Sequence, residues 1–422
     1  MATYIDVANP PTGKSRRIQL RTDSSTRTVI VSGAEFGWGS SGKLGAILAA
    51  LRERTAVPLR FVGLASGLGR PVLSEHAIER WYDLPDDAED VPEAVTAVTG
   101  AEAAVAAVVV LDGAVAKATE AAGVPTVFVD SLPFMWGEGD RVALPLEATV
   151  YCAQRCVELP AECRDVLASV RALRWVGAVV GTPPRAERAA SAAGPHRTAL
   201  VSLGGLRAPR LADWTAYPRI VVPAVLEALA AHGVHEVHLA GNLPADLAGR
   251  LVDASITPPH VSTGALAHGE FLDRLAGCDV LLTSPGLTTL LEAGRLRVPT
   301  LCLPPQNLSQ IFNGRFHSRA IGTKTRITWP KAVFAEEEAL SLRTRGEDHA
   351  LERIYAGIAA AGADTAVRST TVVLRDAILT ALRGAAAGAD DWGALTATVG
   401  VDGAADVADA LLALLPGVPR AA

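Results

Sequence analysis

From residue 28 onward the sequence alternates between short runs rich in β-branched residues and longer stretches whose apolar residues recur at helical spacing, with glycine or proline at the turns. That alternation is the signature of a parallel α/β sheet. In the first half, strands fit residues 28–32, 59–64, 106–111, 126–129, 148–152 and 175–180, with helices such as 43–54 and 114–122 between them. Residues 181–197, GTPPRAERAASAAGPHR, replace this periodicity with proline, arginine and small residues, and so mark a boundary. The pattern then restarts with strands at 198–203, 236–240, 280–283 and 300–303 and helices at 217–231, 271–276 and 288–295. Beyond residue 345 the chain is alanine-rich and helical, most clearly at 372–383 and 404–415. The expected fold class is α/β, with two doubly wound, Rossmann-like domains facing across a cleft. Each would carry its binding loops at the carboxyl ends of its strands. The boundaries expected are 1–182 for the first domain, 183–197 for a linker, 198–345 for the second domain and 346–422 for the terminal helices.

Composition narrows the class. The chain of 422 residues carries a net charge of −6, and its 39 basic residues are scattered along it, which argues against nucleic acid as a partner. The apolar run at 103–111 is far short of the roughly 20 residues that a membrane-spanning helix needs. Residues 1–27 have no hydrophobic signal core, so a cytoplasmic enzyme without a membrane partner is expected. Cys152, Cys156, Cys163, Cys278 and Cys302 match no metal or disulfide spacing and read as buried thiols. No metal site is expected.

The loop VIVSGAEFGWGSSGKLGAILAAL follows a strand and opens a helix, where backbone amides can hold an anion. Gly37, Gly39 and Gly42 satisfy G-x-G-x-x-G, and Gly37 to Lys43 satisfy G-x-x-x-x-G-K. A dinucleotide site also wants an acidic residue after the second strand, and 59–69 has none. A P-loop wants Ser or Thr after the lysine for magnesium, and position 44 is leucine, although Asp112 could pass for a Walker-B acid. A P-loop NTPase stays open as an alternative, as does a turn whose glycines only let the helix approach the sheet.

The second half is sharper. FLDRLAGCDVLLTSPGLTTLLEAGRLRVPTLCLPPQNLSQIFNGRF, residues 271–316, places Gly286 six residues before Glu292, then a Val-Pro turn and a cluster of amide side chains. It resembles the donor region of inverting GT-B glycosyltransferases, including the lipid-intermediate enzyme of peptidoglycan synthesis and the plant and antibiotic transferases. A strand-to-helix turn of Ser284, Gly286, Leu287 and Thr288 offers amides and hydroxyls to a diphosphate. The resemblance implies that Glu292 holds the ribose, that Gln306, Asn307 and Gln310 meet the sugar, and that the Gly204-Gly205 loop lies at the diphosphate. Ser309 stands where the family has an aspartate. It also implies that 1–182 is the acceptor side, that 198–345 is the donor side, and that the last helices partly return to the first domain. No cofactor is implied beyond the UDP-sugar substrate.

Gly39, Ser40, Ser41 and Lys43 then fall on the acceptor or phosphate side. An inverting transfer needs a base for the acceptor's proton, and Glu35 and Asp130 are the carboxylates expected to supply it. Phe134 and Trp136, in the loop after Asp130, offer an acceptor platform, with core packing as the competing reading. The FGWGSSGKL and TSPGLTTLLEA segments also resemble cytosylglucuronate synthases of nucleoside-antibiotic pathways, implying UDP-glucuronic acid as donor and cytosine as acceptor. Lys43 or Arg315 would then pair with the sugar carboxylate. A UDP-sugar epimerase or hydrolase of the same fold would use the same donor contacts and remains an alternative. Small molecules are the expected partners, and the sequence leaves the oligomeric state open.

Overall fold

In a computed structural model of the chain, the described residues are 26–85, 87–182, 196–206, 211, 213–321, 325–343, 347–388 and 390–415. The expected linker lies outside them as far as residue 195. The first half runs β1 (Arg27–Gly33), α1 (Gly39–Arg54), β2 (Leu59–Leu64), a 3-10 turn (Gly67–Leu73), β3 (Ile78–Tyr82), α2 (Val91–Ala101), β4 (Ala106–Val110), α3 (Gly113–Ala121), β5 (Thr126–Asp130), β6 (Val150–Gln154), α4 (Ala161–Leu167) and β7 (Leu173–Val176). These seven strands form one sheet in the order β3-β2-β1-β4-β5-β6-β7, parallel throughout.

The second half runs β8 (Thr198–Gly204), α5 (Ala216–His232), β9 (Glu236–Gly241), α6 (Ala245–Asp253), β10 (His260–Gly264), α7 (His268–Gly277), β11 (Val280–Thr283), α8 (Leu287–Arg295), β12 (Thr300–Cys302) and α9 (Leu308–Ile321). Its five parallel strands are ordered β10-β9-β8-β11-β12. Then follow α10 (Glu336–Leu342), α11 (Glu347–Ala361), α12 (Val367–Ala387), α13 (Ala394–Val399) and α14 (Gly403–Leu414).

Central strands such as β4, AAVVV, are buried at every position because helices cover both faces of a parallel sheet. The sequence pattern passes over two strands, β3 and β10. Both are sheet edges with mixed polar residues and partial exposure, so neither shows a continuous apolar run. In each sheet the strand order reverses beside the first strand, between β1 and β4 and between β8 and β11. A crevice opens at such a switch point, and here the two crevices face each other.

The terminal helices bind the halves together. α12 packs along α5, and α13 lies on α8. α14 crosses to the first sheet, where Val407, Leu411 and Leu412 share a core with Val29, Val31 and Ile47. No helix among the described residues is long and apolar enough to cross a membrane.

Candidate active site

Strand β1 ends in a glycine loop, and Gly37 adopts a left-handed φ of 65°. From the other sheet, Gly204, also at φ 65°, leads into Gly205. A β-carbon on Gly205 would sit 2.8 Å from the backbone of Gly37, so only glycine lets the two loops meet. Around this contact lies a cleft lined from the first half by Phe36, Trp38, Gly39, Ser40, Lys43, Val72, Leu111, Ser131 and Leu132. The second half contributes Gly204, Gly205, Ser284, Gly286, Leu287, Thr288, Glu292, Gln306, Asn307, Gln310 and Asn313 among others.

Two helices begin at this cleft. α1 starts after Trp38 and α8 after Gly286, and neither has a side-chain cap or an acidic residue in its first turn. Their first amides therefore present partial positive charge without a protein partner to neutralise it. Lys43 adds a full charge. Its side chain is buried, and its Nζ donates to Thr288 Oγ1, which in turn donates to the carbonyl of Gly39 at 3.2 Å. Burial lowers the Lys43 pKa to about 8, against the pull of the Glu292 carboxylate. An ammonium has three donors, and Thr288 is its one hydrogen-bond partner among the described residues.

Glu292, buried on α8, has a partner that sequence reasoning missed. His268 Nε2 lies 2.7 Å from Glu292 Oε1. Burial alone would lower the histidine, but the charge and hydrogen bond of Glu292 outweigh it and hold the His268 pKa above its ordinary value. His268 heads α7, 24 residues before Glu292, and no local motif links them. Glu75 accepts from the amide of Gly269 at 3.1 Å, which ties the first half to the same corner.

The amide cluster is ordered by internal bonds. Asn307 Oδ1 accepts from Ser309 Oγ and the Gln310 amide, Gln310 Oε1 accepts from the Gln306 amide, and Gln306 Nε2 donates to Ser284 Oγ at 3.1 Å. Asn313 Nδ2 donates to the Pro285 carbonyl, while its buried Oδ1 has no partner among the described residues. Asn242, just past the end of β9, holds the 204–206 loop by accepting from the Leu206 amide at 2.8 Å.

The first-half expectations divide. Ser40 and Lys43 line the cleft, whereas Ser41 lies against Gly69 inside the domain. Asp130 does not reach the cleft. It is fully buried, with Oδ1 accepting from the Leu132 amide and Oδ2 from Trp136 Nε1 and the Tyr151 hydroxyl at 2.8–2.9 Å. Burial raises its pKa to about 6 in spite of these bonds, and its role is to anchor the 131–136 loop. Phe134 is no platform either, because it packs in the core against Phe312 and Phe316. Trp136 is held by Asp130 and packs on that core. The aromatics that face the cleft from the first half are Phe36 and Trp38, inside the glycine loop itself, and Phe271 and Tyr355 line it from the second.

Glu35 is exposed beside Phe36, and its Oε1 accepts from the Gly67 amide at 2.6 Å. Leu44 is buried in the core and Asp112 caps α3 by accepting from the Val115 amide, so the two positions a P-loop needs for magnesium are both committed elsewhere. Arg315 is paired with Glu336 and Glu337 and is not among the residues that line the cleft.

With this geometry in place, solved structures give the fold its name. The spinosyn rhamnosyltransferase SpnG complexed with thymidine diphosphate is 17% identical at a TM-score of 0.50, over 84% of this chain and 96% of that one. This chain has the GT-B fold. MurG of Acinetobacter baumannii matches over 83% of this chain and 99% of its own, at 14% identity and a TM-score of 0.46. The UDP-GlcNAc 2-epimerase of Neisseria meningitidis, bound to UDP-GlcNAc, matches over 84% and 100%, at 11% identity and 0.43. No protein-family model matches the chain, nor does any curated protein.

Proposed function

We propose that the protein is a glycosyltransferase that moves a sugar from a UDP-sugar to a small acceptor. The observation that carries this reading is Lys43: a buried ammonium with donors to spare, set between two uncapped helix starts, is built for an anion such as a diphosphate. Ser284, Gly286, Leu287 and Thr288 meet the phosphates from the donor side, with Gly204 and Gly205 opposite. Glu292, oriented by His268, accepts from the ribose hydroxyls, and Gln306, Asn307 and Gln310 face the sugar. On arrival of the donor, Lys43 exchanges Thr288 for a phosphate oxygen.

In the transfer, a lone pair of the acceptor attacks the anomeric carbon and the bond from that carbon to the β-phosphate oxygen breaks. The electron pair leaves with UDP, whose growing charge Lys43 and the helix starts stabilise. The acceptor's proton passes to Glu35, the exposed carboxylate beside the cleft. UDP-glucuronic acid and cytosine are the first substrates to try. The same ionisable trio of Lys43, Glu292 and His268 favours a second reading, a UDP-sugar epimerase or hydrolase, which needs no acceptor.

The test is calorimetric titration with UDP and TDP in a chelating buffer, followed by product analysis of UDP-glucuronic acid with and without cytosine. UDP binding and a product that requires cytosine are expected. An isomerised sugar or free UDP formed at the same rate without cytosine gives the second reading, and failure to bind either nucleotide overturns both.

A further inference from the structure

The first-half wall of the cleft has a chemistry that a nucleotide-sugar does not use. β1, β4 and β5 are neighbours in the sheet, and past their carboxyl ends stand Phe36 and Trp38, Leu111, and Leu132 with Ser131. Leu111 is held at φ 61°, a left-handed conformation that leucine rarely adopts, and its side chain lines the cleft. Apart from Lys43, the side chains of this wall are apolar or carry hydroxyls. Ser131 Oγ is buried and has no partner among the described residues, and the same holds for the hydroxyl of Tyr355, which reaches the cleft from α11. Buried polar atoms are almost always paired in native proteins, so these two hydroxyls, with Asn313 Oδ1 as a third orphan in the cleft, mark places where a ligand completes the bonding. Of the charged groups of the cleft, Lys43 stands on the first half and is bonded to Thr288, and Glu292 and His268 of the second half pair with each other.

We propose that this wall binds a flat, uncharged acceptor that lies against Phe36, Trp38, Leu111 and Leu132 and turns one hydrogen-bonding edge toward Ser131 Oγ and the Tyr355 hydroxyl. The proposal rests on the transferase reading and names its acceptor class. Lys43 is the one ammonium among the described residues that lines the cleft, and the transferase reading commits it to the diphosphate, so a phosphorylated or carboxylated acceptor would bury a charge against leucine with no counter-charge left for it. A sugar or polyol would bring more hydroxyls than the two orphan hydroxyls beside this wall can satisfy. A planar heteroaromatic or phenol matches both the apolar area and the short polar edge. An epimerase or hydrolase has no use for such a wall.

Saturation-transfer NMR on the full chain, in the presence of UDP, tests this with cytosine and 4-methylphenol as uncharged probes and phenyl phosphate and glucose as the contrasts. The uncharged pair gives saturable signals. Leu132→Glu abolishes them and Ser131→Ala weakens them roughly threefold to tenfold, as loss of one hydrogen bond predicts, while both variants keep the UDP thermal shift that reports a folded donor site. Equal binding of phenyl phosphate or glucose overturns the proposal. So do probe signals that Leu132→Glu leaves unchanged, or no signal from either uncharged probe at about 10 mM, a weak-binding limit. Probe binding without any UDP shift strikes the transferase reading and leaves the wall standing.

Discussion

The loop after β1 and the turn after β11 are built alike and charged differently. Each joins a buried parallel strand to an uncapped helix through glycine, and each would hold an anion on its amides. The first loop carries the cation, Lys43, and the second carries the carboxylate, Glu292, with its histidine. Neither half is complete, because Lys43 finds its hydroxyl and its counter-charge only across the cleft. A single glycine loop therefore says little about function, and the pair says a good deal.

The largest expected effect removes Glu35, the carboxylate proposed as the base. Glu35→Gln keeps an acceptor for the Gly67 amide and loses the proton acceptor, so kcat falls roughly 100-fold to 10,000-fold with KM little changed. Steady-state kinetics decide it, and a kcat within a few-fold of wild type would reduce Glu35 to a turn-holding residue. Lys43→Met comes next and breaks the comparison from the cation's side. Loss of a charge-assisted contact in a buried site costs about 2–4 kcal/mol, or roughly 30-fold to 1,000-fold in UDP affinity by calorimetry. The same variant removes a desolvated charge, so its Tm stays level or rises. Unchanged UDP affinity would mean that Lys43 serves the interface between the halves and not the ligand.

Glu292→Gln tests the other side. It keeps a carbonyl for His268 and removes the charge, so UDP affinity falls roughly tenfold to 100-fold while the fold stays intact. TDP, whose sugar lacks the 2′-hydroxyl, should lose less in this variant than UDP. Equal losses for the two nucleotides would show that Glu292 does not read the ribose.

How much of this was legible follows from how local each signal is. Central strands and both glycine turns announce themselves within a dozen residues, whereas β3 and β10 hide because an edge strand needs no continuous apolar run. Phe36-Gly37-Trp38 and Phe134-Met135-Trp136 share the Phe-x-Trp spacing and each follows a strand closely, yet only the first pair faces the cleft. Asp130 decides the second pair's fate by capturing Trp136 Nε1 as Phe134 enters the core, and nothing in the spacing shows that. The Lys43 to Thr288 bond joins residues 245 apart, which only the folded chain can reveal. Asp130→Asn sharpens the point. It offers one carbonyl where two oxygens now accept three bonds, so stability drops by about 1–3 kcal/mol, seen as a lower Tm, with donor affinity unchanged.

The smallest effect is a pH dependence whose two parts run in opposite directions. The Lys43 pKa is lowered to about 8 in the folded protein, from an ordinary value of 10.5. Between these values the unfolded chain holds the proton and the ligand-free folded chain does not, so this group's contribution to stability rises with pH across that window. The affinity for a sugar diphosphate falls across it, because the charged ammonium is the form that binds. From pH 7 to 8.5 the charged fraction of a group with a pKa of about 8 drops about fourfold, and affinity should follow. UDP-glucuronic acid is the right probe, since its esterified diphosphate does not titrate there. His268 and His76 face the same corner and lose charge in the same direction as pH rises, His268 above its ordinary value and His76 near 4. Glu75 and Glu292 face the same histidines, and the Arg52 charge also acts on His76. Lys43→Met separates them: the fall in affinity above pH 7 should vanish in the variant if the lysine carries it, and survive if His268 does.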